Sequence, residues 1–224
     1  MASVPVPRLT PPARTMLRDT VYESIRQMLM DHVLEPGARL SIDGLARELR
    51  VSPTPVREAM TKLESDGLVA KRPHAGYVVA PLMDQVSLDN LVEIRLLLEP
   101  AAARRAAGNA TEAQITEMRA LVETMTAYPA GENYEHYRDF AVQDARLHRL
   151  IAEASGNPLI ADALTRLHAH THSYRRYFTV GIAAETTREH DQIVSSIAAH
   201  NADAAEAAMI RHITASRDRQ REAY

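Results

Sequence analysis

The sequence predicts a mainly α-helical protein, with a small mixed part at the front and a longer all-helical part behind it. Apolar residues recur at helical spacing along most of the 224 residues. Between residues 68 and 80 the pattern changes to two short apolar runs around a tip, which is typical of a β-hairpin. We expect a flexible arm over residues 1–13, a first domain over 14–82 and a second over 83–224.

The front part begins with the arm and one helix. Residues 1–12 contain four prolines and no apolar periodicity, which indicates a flexible segment. From Arg14 the apolar residues keep helical spacing as far as Leu29, and Pro36-Gly37 is expected to end this helix.

Two short helices joined by a tight turn come next. Ser41 is the predicted N-cap of the first, and Arg50-Val51 forms the turn. Ser52 caps the second helix, which Gly67 closes. The apolar stripe of the second helix consists of Val56, Ala59, Met60 and Leu63.

Two strands complete the front part. They are predicted over Leu68–Arg72 and Gly76–Ala80, around a tip at residues 73–75. Helix, turn, helix and hairpin in this order predict a helix-turn-helix with a wing, whose usual use is the reading of DNA.

The candidate DNA contacts lie on the second helix and the wing. Ser52, Thr54 and Arg57 stand at the helix end that enters the major groove, where Arg57 can bind guanine or a phosphate. Three wing residues are placed to contact the DNA backbone or the minor groove: Lys71, Arg72 and His74. The alternative is that Arg57 pairs with a nearby acid and that the two wing cations form a solvated strand end.

The segments LARELR, VSPTPVREAM and LESDGLV…GYVV resemble the winged-helix domain of GntR-type bacterial transcription regulators over residues 14–82. The resemblance implies a homodimer on a short palindromic operator. The matching contact positions are Ser52, Thr54, Arg57, His74 and Gly76. Pro53 and Asp43 replace cations of some relatives, so more of the base reading should depend on Arg57 and the wing. Arg50 replaces a turn glycine, which adds a possible phosphate contact in a left-handed backbone conformation.

The back part predicts an antiparallel bundle of six helices, because only short breaks separate its periodic segments. These segments are Gln85–Ala107, Thr111–Thr126, Asn133–Ala154, Pro158–Thr179, Ala184–Ala199 and Ala202–Glu222.

Four ionisable residues lie in the apolar stripes of three of these helices. Asp144 and His148 are one turn apart in the third segment, and His190 and His212 occupy the fifth and sixth. Buried groups of this kind need partners, and one divalent metal would satisfy all four. For any single histidine the alternative is a hydrogen-bonded core residue. A cluster at His168, His170 and His172 is expected to be solvated or at a pocket rim.

The FxxxDxxxH pattern from Phe140, the Glu189-His190 pair and the late His212 resemble the ligand-binding FCD domain of the FadR branch, in its VanR-like six-helix form. That resemblance implies a metal held by Asp144, His148, His190 and His212, with zinc the first choice and nickel or manganese the alternatives. It also implies a small carboxylate effector on the metal. Arg95, Tyr174 and Arg175 are the candidate effector contacts, and for Arg95 an i,i+4 pair with Glu99 is the alternative.

Composition limits the remaining possibilities. There are no cysteines, so thiolate sites and disulfides are excluded. No membrane-length apolar run and no secretory signal are recognisable, so we expect a cytoplasmic protein without a membrane partner. Residues 1–80 carry 11 Lys+Arg against 9 Asp+Glu, and residues 81–224 carry 15 against 20.

These observations predict a transcription regulator rather than an enzyme, and the resemblance to the GntR type implies a repressor. A metal-dependent hydrolase fused to a DNA-binding module is the alternative, since three histidines and an aspartate can activate water. A nonspecific DNA binder is disfavoured by the net charge of −3.

Overall fold

The fold is mainly α-helical, as predicted, and its chain divides into two units between Pro81 and Leu82. The computed structural model describes residues 13–73, 76–127, 134–167 and 182–222. The first unit is called the winged-helix unit below, and the second the helical unit.

The winged-helix unit contains three helices and three strands among its described residues. In chain order they are α1 (Ala13–Met30), β1 (Arg39–Leu40), α2 (Ile42–Glu48), α3 (Pro53–Ser65), β2 (Val69–Arg72) and β3 (Gly76–Val79). The strands form an antiparallel sheet in the order β1-β3-β2, with Lys71 opposite Tyr77. Helix α1 packs on α3 through fully buried side chains, which include Ile25, Leu29, Met60 and Leu63.

The turn between α2 and α3 has the geometry of a Schellman motif, with Arg50 where glycine is usual. Arg50 has φ of 54°, and the N–H of Val51 donates to the carbonyl of Ala46 at 2.9 Å. Helix α3 ends in the same way, but there Gly67 takes the positive φ of 71°. A residue with a Cβ pays about 1–2 kcal/mol in this conformation, so Arg50 is held at a cost that Gly67 avoids.

Two details differ from the sequence-based expectation. Helix α1 ends at Met30 rather than at Pro36-Gly37, because His32 turns the chain with φ of 56°. Strand β1 was not predicted, since two residues are too few to show a period. The capping role of Ser41 is confirmed, because its Oγ accepts from the N–H of Gly44 at 3.1 Å.

The helical unit has six helices in the part that the structure describes. They are α4 (Gln85–Asn109), α5 (Glu112–Thr126), α6 (Tyr134–Ala154), α7 (Pro158–Leu167), α8 (Ile182–Ala198) and α9 (Ala202–Glu222). Asp84 caps α4, and Thr111 and Gln114 form a capping box at α5. The predicted fourth segment extends past Leu167 into residues outside those described.

A continuous apolar core joins α4, α5, α6, α8 and α9. Its members are small on α4 and larger on the other helices; they include Ala103, Ala106, Met118, Leu147, Ile193 and Ile213. Helix α9 packs extensively on α4, and both helices contribute alanines to the core. The ionisable residues described next are therefore set within a packed interior.

Candidate metal centre and nucleic-acid interface

Three histidines from three helices converge inside the helical unit. His148 of α6, His190 of α8 and His212 of α9 are 6%, 0% and 3% exposed. Each offers one atom to a group whose members all lie within 4.8 Å of one another. The ring centroids of His190 and His212 are 4.6 Å apart. The sequence periodicity alone had placed these three side chains on inward faces.

Asp144 stands beside this cluster rather than at its centre. Its side chain is buried, and Oδ1 lies 3.2 Å from Nε2 of His190. The same Nε2 is 3.3 Å from Nε2 of His148. All four predicted ligands are thus brought into one region, and Nε2 of His190 lies close to both α6 members.

Two of the separations, His148 to His190 and His190 to Asp144, fit a divalent metal. Nitrogen ligands of a tetrahedral zinc ion with bonds of about 2.0–2.1 Å stand roughly 3.3 Å apart. The two Nε2 atoms of His148 and His190 have that separation at 3.3 Å. Imidazole and carboxylate donors suit zinc, nickel or manganese, so the donor set is compatible with each of the predicted metals.

A buried carboxylate orients His148. Glu99 of α4 is 3% exposed, and its Oε2 accepts from Nδ1 of His148 at 2.6 Å. Arg95 donates from Nε to Oε1 of the same carboxylate at 2.5 Å. Because Nδ1 carries the proton, Nε2 of the neutral ring is left as a donor atom for a metal.

A second carboxylate orients His212 in the same way. Glu189 of α8 accepts from Nδ1 of His212 through Oε2 at 2.8 Å. Arg219 of α9 forms a fork on this carboxylate, with contacts of 2.7 and 3.0 Å. We name these two hydrogen-bonded groups of side chains the Glu99 arm (Arg95, Glu99, His148) and the Glu189 arm (Arg219, Glu189, His212).

Both carboxylates are held in the charged form. Burial alone would raise the pKa of Glu99, but Arg95 and His148 lower it by more, so it lies well below the usual value. Burial also raises the pKa of Glu189, and its hydrogen bonds from His212 and Arg219 outweigh that effect. Charged carboxylates can only accept hydrogen bonds, which supports the assignment of the Nδ1 protons.

The predicted effector contacts have different outcomes. Arg95 is 4% exposed and forms the pair with Glu99 that the sequence left open as its alternative. Tyr174 and Arg175 lie outside the described residues, as do His168, His170 and His172. A surface cleft of about 240 Å³ opens between α4 and α9, and two of its lining residues, Asp89 and Arg221, already pair at 2.7 Å.

The candidate DNA-contact residues lie on the surface of the winged-helix unit. Ser52, Thr54 and Arg57 are exposed at the start of α3, and Arg50, Lys71, Arg72 and Gly76 are exposed nearby in the chain. Ser52 makes no side-chain capping bond, so its hydroxyl is not used by the helix. Gly76 has φ of 72°, a conformation that favours glycine. His74 lies outside the described residues.

These cations lack acidic partners within the part of the chain that the structure describes. None of Arg50, Arg57, Lys71 and Arg72 forms an ion pair with another described residue. The alternative in which Arg57 merely pairs with a nearby acid is therefore not what the structure contains. The backbone N–H of Lys71 is tied to Oε1 of Glu64 at 3.1 Å, which fixes β2 to α3.

Sequence reasoning missed the roles of Glu99, Glu189 and Arg219. Glu99 is 49 positions from His148 and Arg219 is 30 from Glu189, so no local pattern connects them. One signal was available: Glu99 and Arg95 share the inward face of a helix, and a buried acid needs a partner.

Two domain families match the chain. The family described as bacterial regulatory proteins, gntR family, matches residues 17–79, and the FCD domain matches residues 90–215. No described helix is long and apolar enough to span a membrane.

Similar proteins are named as transcription regulators and not as enzymes. The uncharacterized HTH-type regulator YdfH of Escherichia coli is 30% identical over 91% of this chain and 87% of its own length. The HTH-type repressor RspR of Escherichia coli is 30% identical over 86% of this chain and 84% of its own. LutR of Bacillus subtilis is 29% identical over 84% of this chain and 93% of its own length.

Solved structures show the same fold. McbR/YncC of Escherichia coli superposes with a TM-score of 0.69 at 21% identity, over 92% of this chain and 97% of the other. A GntR regulator from Rhodococcus superposes with a TM-score of 0.69 at 20% identity, over 92% of this chain and 98% of the other. At these identities the likeness concerns the fold alone.

Proposed function

This chain belongs to the gntR family of bacterial regulatory proteins and carries an FCD domain; on that premise we propose a transcription repressor whose operator affinity is controlled by a small organic acid bound at a metal centre. The observation that carries the proposal is the convergence of His148, His190 and His212 in the unit that follows the winged helix.

The winged-helix unit supplies the DNA contacts in this proposal. Arg57 at the start of α3 reads a base edge, with Ser52 and Thr54 beside it. Arg50, Lys71, Arg72, His74 and Gly76 contact the phosphate backbone or the minor groove. The exposure of the described members and the absence of ion-pair partners for the four described cations support this role. As a homodimer, the protein would present two recognition helices to a palindromic operator.

The helical unit supplies the sensor. Asp144, His148, His190 and His212 would hold a divalent metal, zinc first, with nickel or manganese as alternatives. Because a tetrahedral zinc with four protein ligands has no free position, a carboxylate effector would bind as an added ligand, by expansion of the coordination beyond four. The Glu99 and Glu189 arms fix the orientation of two of the imidazoles before any ligand arrives, as carboxylates commonly do for metal-binding histidines.

The effector is proposed to be a small carboxylate, with Tyr174 and Arg175 as contacts. Arg95 was proposed for the same role, but its guanidinium is buried against Glu99. We therefore expect Arg95 to reach an effector only if the Glu99 pair opens. Control of DNA binding follows if the effector favours one packing of the helices over another, because the two sites then change each other's affinity reciprocally.

A thermal-shift screen tests the sensor. Small mono-, di- and tricarboxylates are added to zinc-loaded and to chelator-stripped protein. At least one compound should raise the Tm of the zinc-loaded form only. The same compound should change the affinity of the protein for its operator, a DNA duplex selected from a random pool by binding to this protein. A compound that stabilises both forms equally, or changes Tm but not DNA affinity, would contradict the proposal.

A further inference from the structure

The Glu99 and Glu189 arms are chemically matched but belong to different helices. In each, Oε2 of a glutamate accepts from Nδ1 of a histidine while an arginine binds the same carboxylate. The Glu189 arm joins α8 to α9, and both of these helices carry candidate metal ligands. The Glu99 arm joins α6 to α4, and α4 carries none of the four candidate ligands.

Helix α4 has a special position along the chain. The winged-helix unit ends at Pro81, and α4 begins at Gln85 after a short connection. It is therefore the first helix of the helical unit that the chain enters from the DNA-binding side. Any influence of the metal centre that follows the chain to the winged helix must pass through the first turns of α4.

Glu99 lies where α4 is easiest to bend. Pro100 stands inside this 25-residue helix, and it has no N–H to donate to the carbonyl of Leu96. Prolines within helices are the usual site of bends. The carboxylate of Glu99 is fixed on its own helix by Arg95, one turn earlier, and on α6 by His148. If His148 changes its orientation, the hydrogen bond to Glu99 therefore transmits that change to α4, next to Pro100.

We propose that Glu99 is a positioning residue that couples the metal centre to α4, so that metal occupancy alters the segment of α4 between the connection and Pro100. This inference rests on the proposed metal centre and adds the route by which it reaches the DNA-binding unit. The hydrogen bonds of Glu189 join α8 to α9, so it orients a ligand without a hydrogen bond to α4; α9 meets α4 separately, through packing and the Arg221–Asp89 pair.

The experiment compares Glu99→Gln with its matched control, Glu189→Gln. Zinc affinity is measured by competition with a chromophoric chelator, and amide hydrogen exchange is followed at saturating zinc and without metal. Both variants should bind zinc about 10–100-fold more weakly than wild type, since each loses an orienting carboxylate. In wild type, zinc should slow exchange over residues 85–96 as well as in α8 and α9.

The two variants should then differ. Glu99→Gln should lose the zinc-dependent slowing over residues 85–96 and keep it in α8 and α9, whereas Glu189→Gln should keep it in α4. Glu99→Asp, which retains a charge for Arg95 but is one methylene shorter, should behave like Glu99→Gln and guards against a folding defect caused by an unpaired arginine.

Three outcomes would overturn the coupling role. One is equal slowing over residues 85–96 in wild type and the Glu99 variants. Another is the same loss in Glu189→Gln. The third is failure of both Glu99 variants to fold while Glu189→Gln folds, which would make Glu99 a core residue only. Absence of zinc binding by the wild type would instead refute the proposed metal centre itself, so the two failures are distinguishable.

Discussion

The winged-helix unit exposes its functional cations, whereas the helical unit buries its ionisable groups and pairs them. Arg57, Lys71 and Arg72 are on the surface and have no ion-pair partner among the described residues. Glu99 and His190 are 3% and 0% exposed. An exposed cation stays hydrated, so it costs little folding free energy and is available to bind an anion from another molecule. A buried carboxylate or imidazole must be satisfied from within, so its partners show what the interior is built to hold.

Removing the metal should affect the two units unequally, and this is the largest effect we expect. A metal at about 1,000 times its Kd stabilises the unit that binds it by about 4 kcal/mol. Chelation should therefore lower the Tm of the helical unit by roughly 10 °C. The winged-helix unit should melt unchanged. Calorimetry with and without chelator measures the Tm of both units. An equal decrease of the two Tm values would contradict the claim that the metal is bound by the helical unit alone.

Arg57→Ala should change DNA recognition without changing stability. A good contact between arginine and guanine is worth about 1–3 kcal/mol of discrimination, or roughly 5- to 150-fold in affinity ratio. Quantitative footprinting on the selected operator and on a variant with the contacted base changed would measure this ratio. Arg18→Ala is the matched control, since Arg18 is an exposed arginine of the same unit that pairs with Asp19. Equal discrimination by wild type and Arg57→Ala would show that Arg57 does not read a base.

Arg50→Gly should have the smallest effect, in opposite directions on stability and on binding. Glycine adopts the φ of 54° without a Cβ penalty, so the winged-helix unit should gain about 1 kcal/mol of unfolding free energy. If Arg50 contacts a phosphate, the variant should lose affinity for all duplexes and show a weaker salt dependence. Gly67→Ala, at the matching position after α3, should destabilise instead. A stabilised variant with unchanged DNA affinity would show that Arg50 is not a DNA contact.

Local patterns were enough to predict most of the fold. The two helices around the Arg50 turn, the strands of the wing and the described helices of the back part follow from apolar spacing and from capping residues such as Ser41. Strand β1 was missed because it has only two residues and is defined by its pairing with β3. The end of α1 was misplaced because the left-handed turn at His32 has no glycine or proline to signal it.

The candidate metal centre was predictable only in part. The inward faces of three helices were readable, so Asp144, His148, His190 and His212 could be named. The Glu99 and Glu189 arms could not, because their partners meet only after the helices pack. For Arg95 the sequence allowed two roles, and burial with Glu99 is what the packed structure contains. Tertiary contacts, not periodicity, decide where a buried charge finds its partner.

The metal content of the purified protein tests the central claim most directly. Elemental analysis of zinc-reconstituted and dialysed protein should give about one metal ion per chain for wild type, and far less for His190→Ala. His200→Asn is the control, because His200 lies outside the cluster and asparagine tolerates its positive φ; it should match wild type. A wild-type protein that is folded and binds its operator, yet retains no metal, would contradict the account, as would full metal content in His190→Ala.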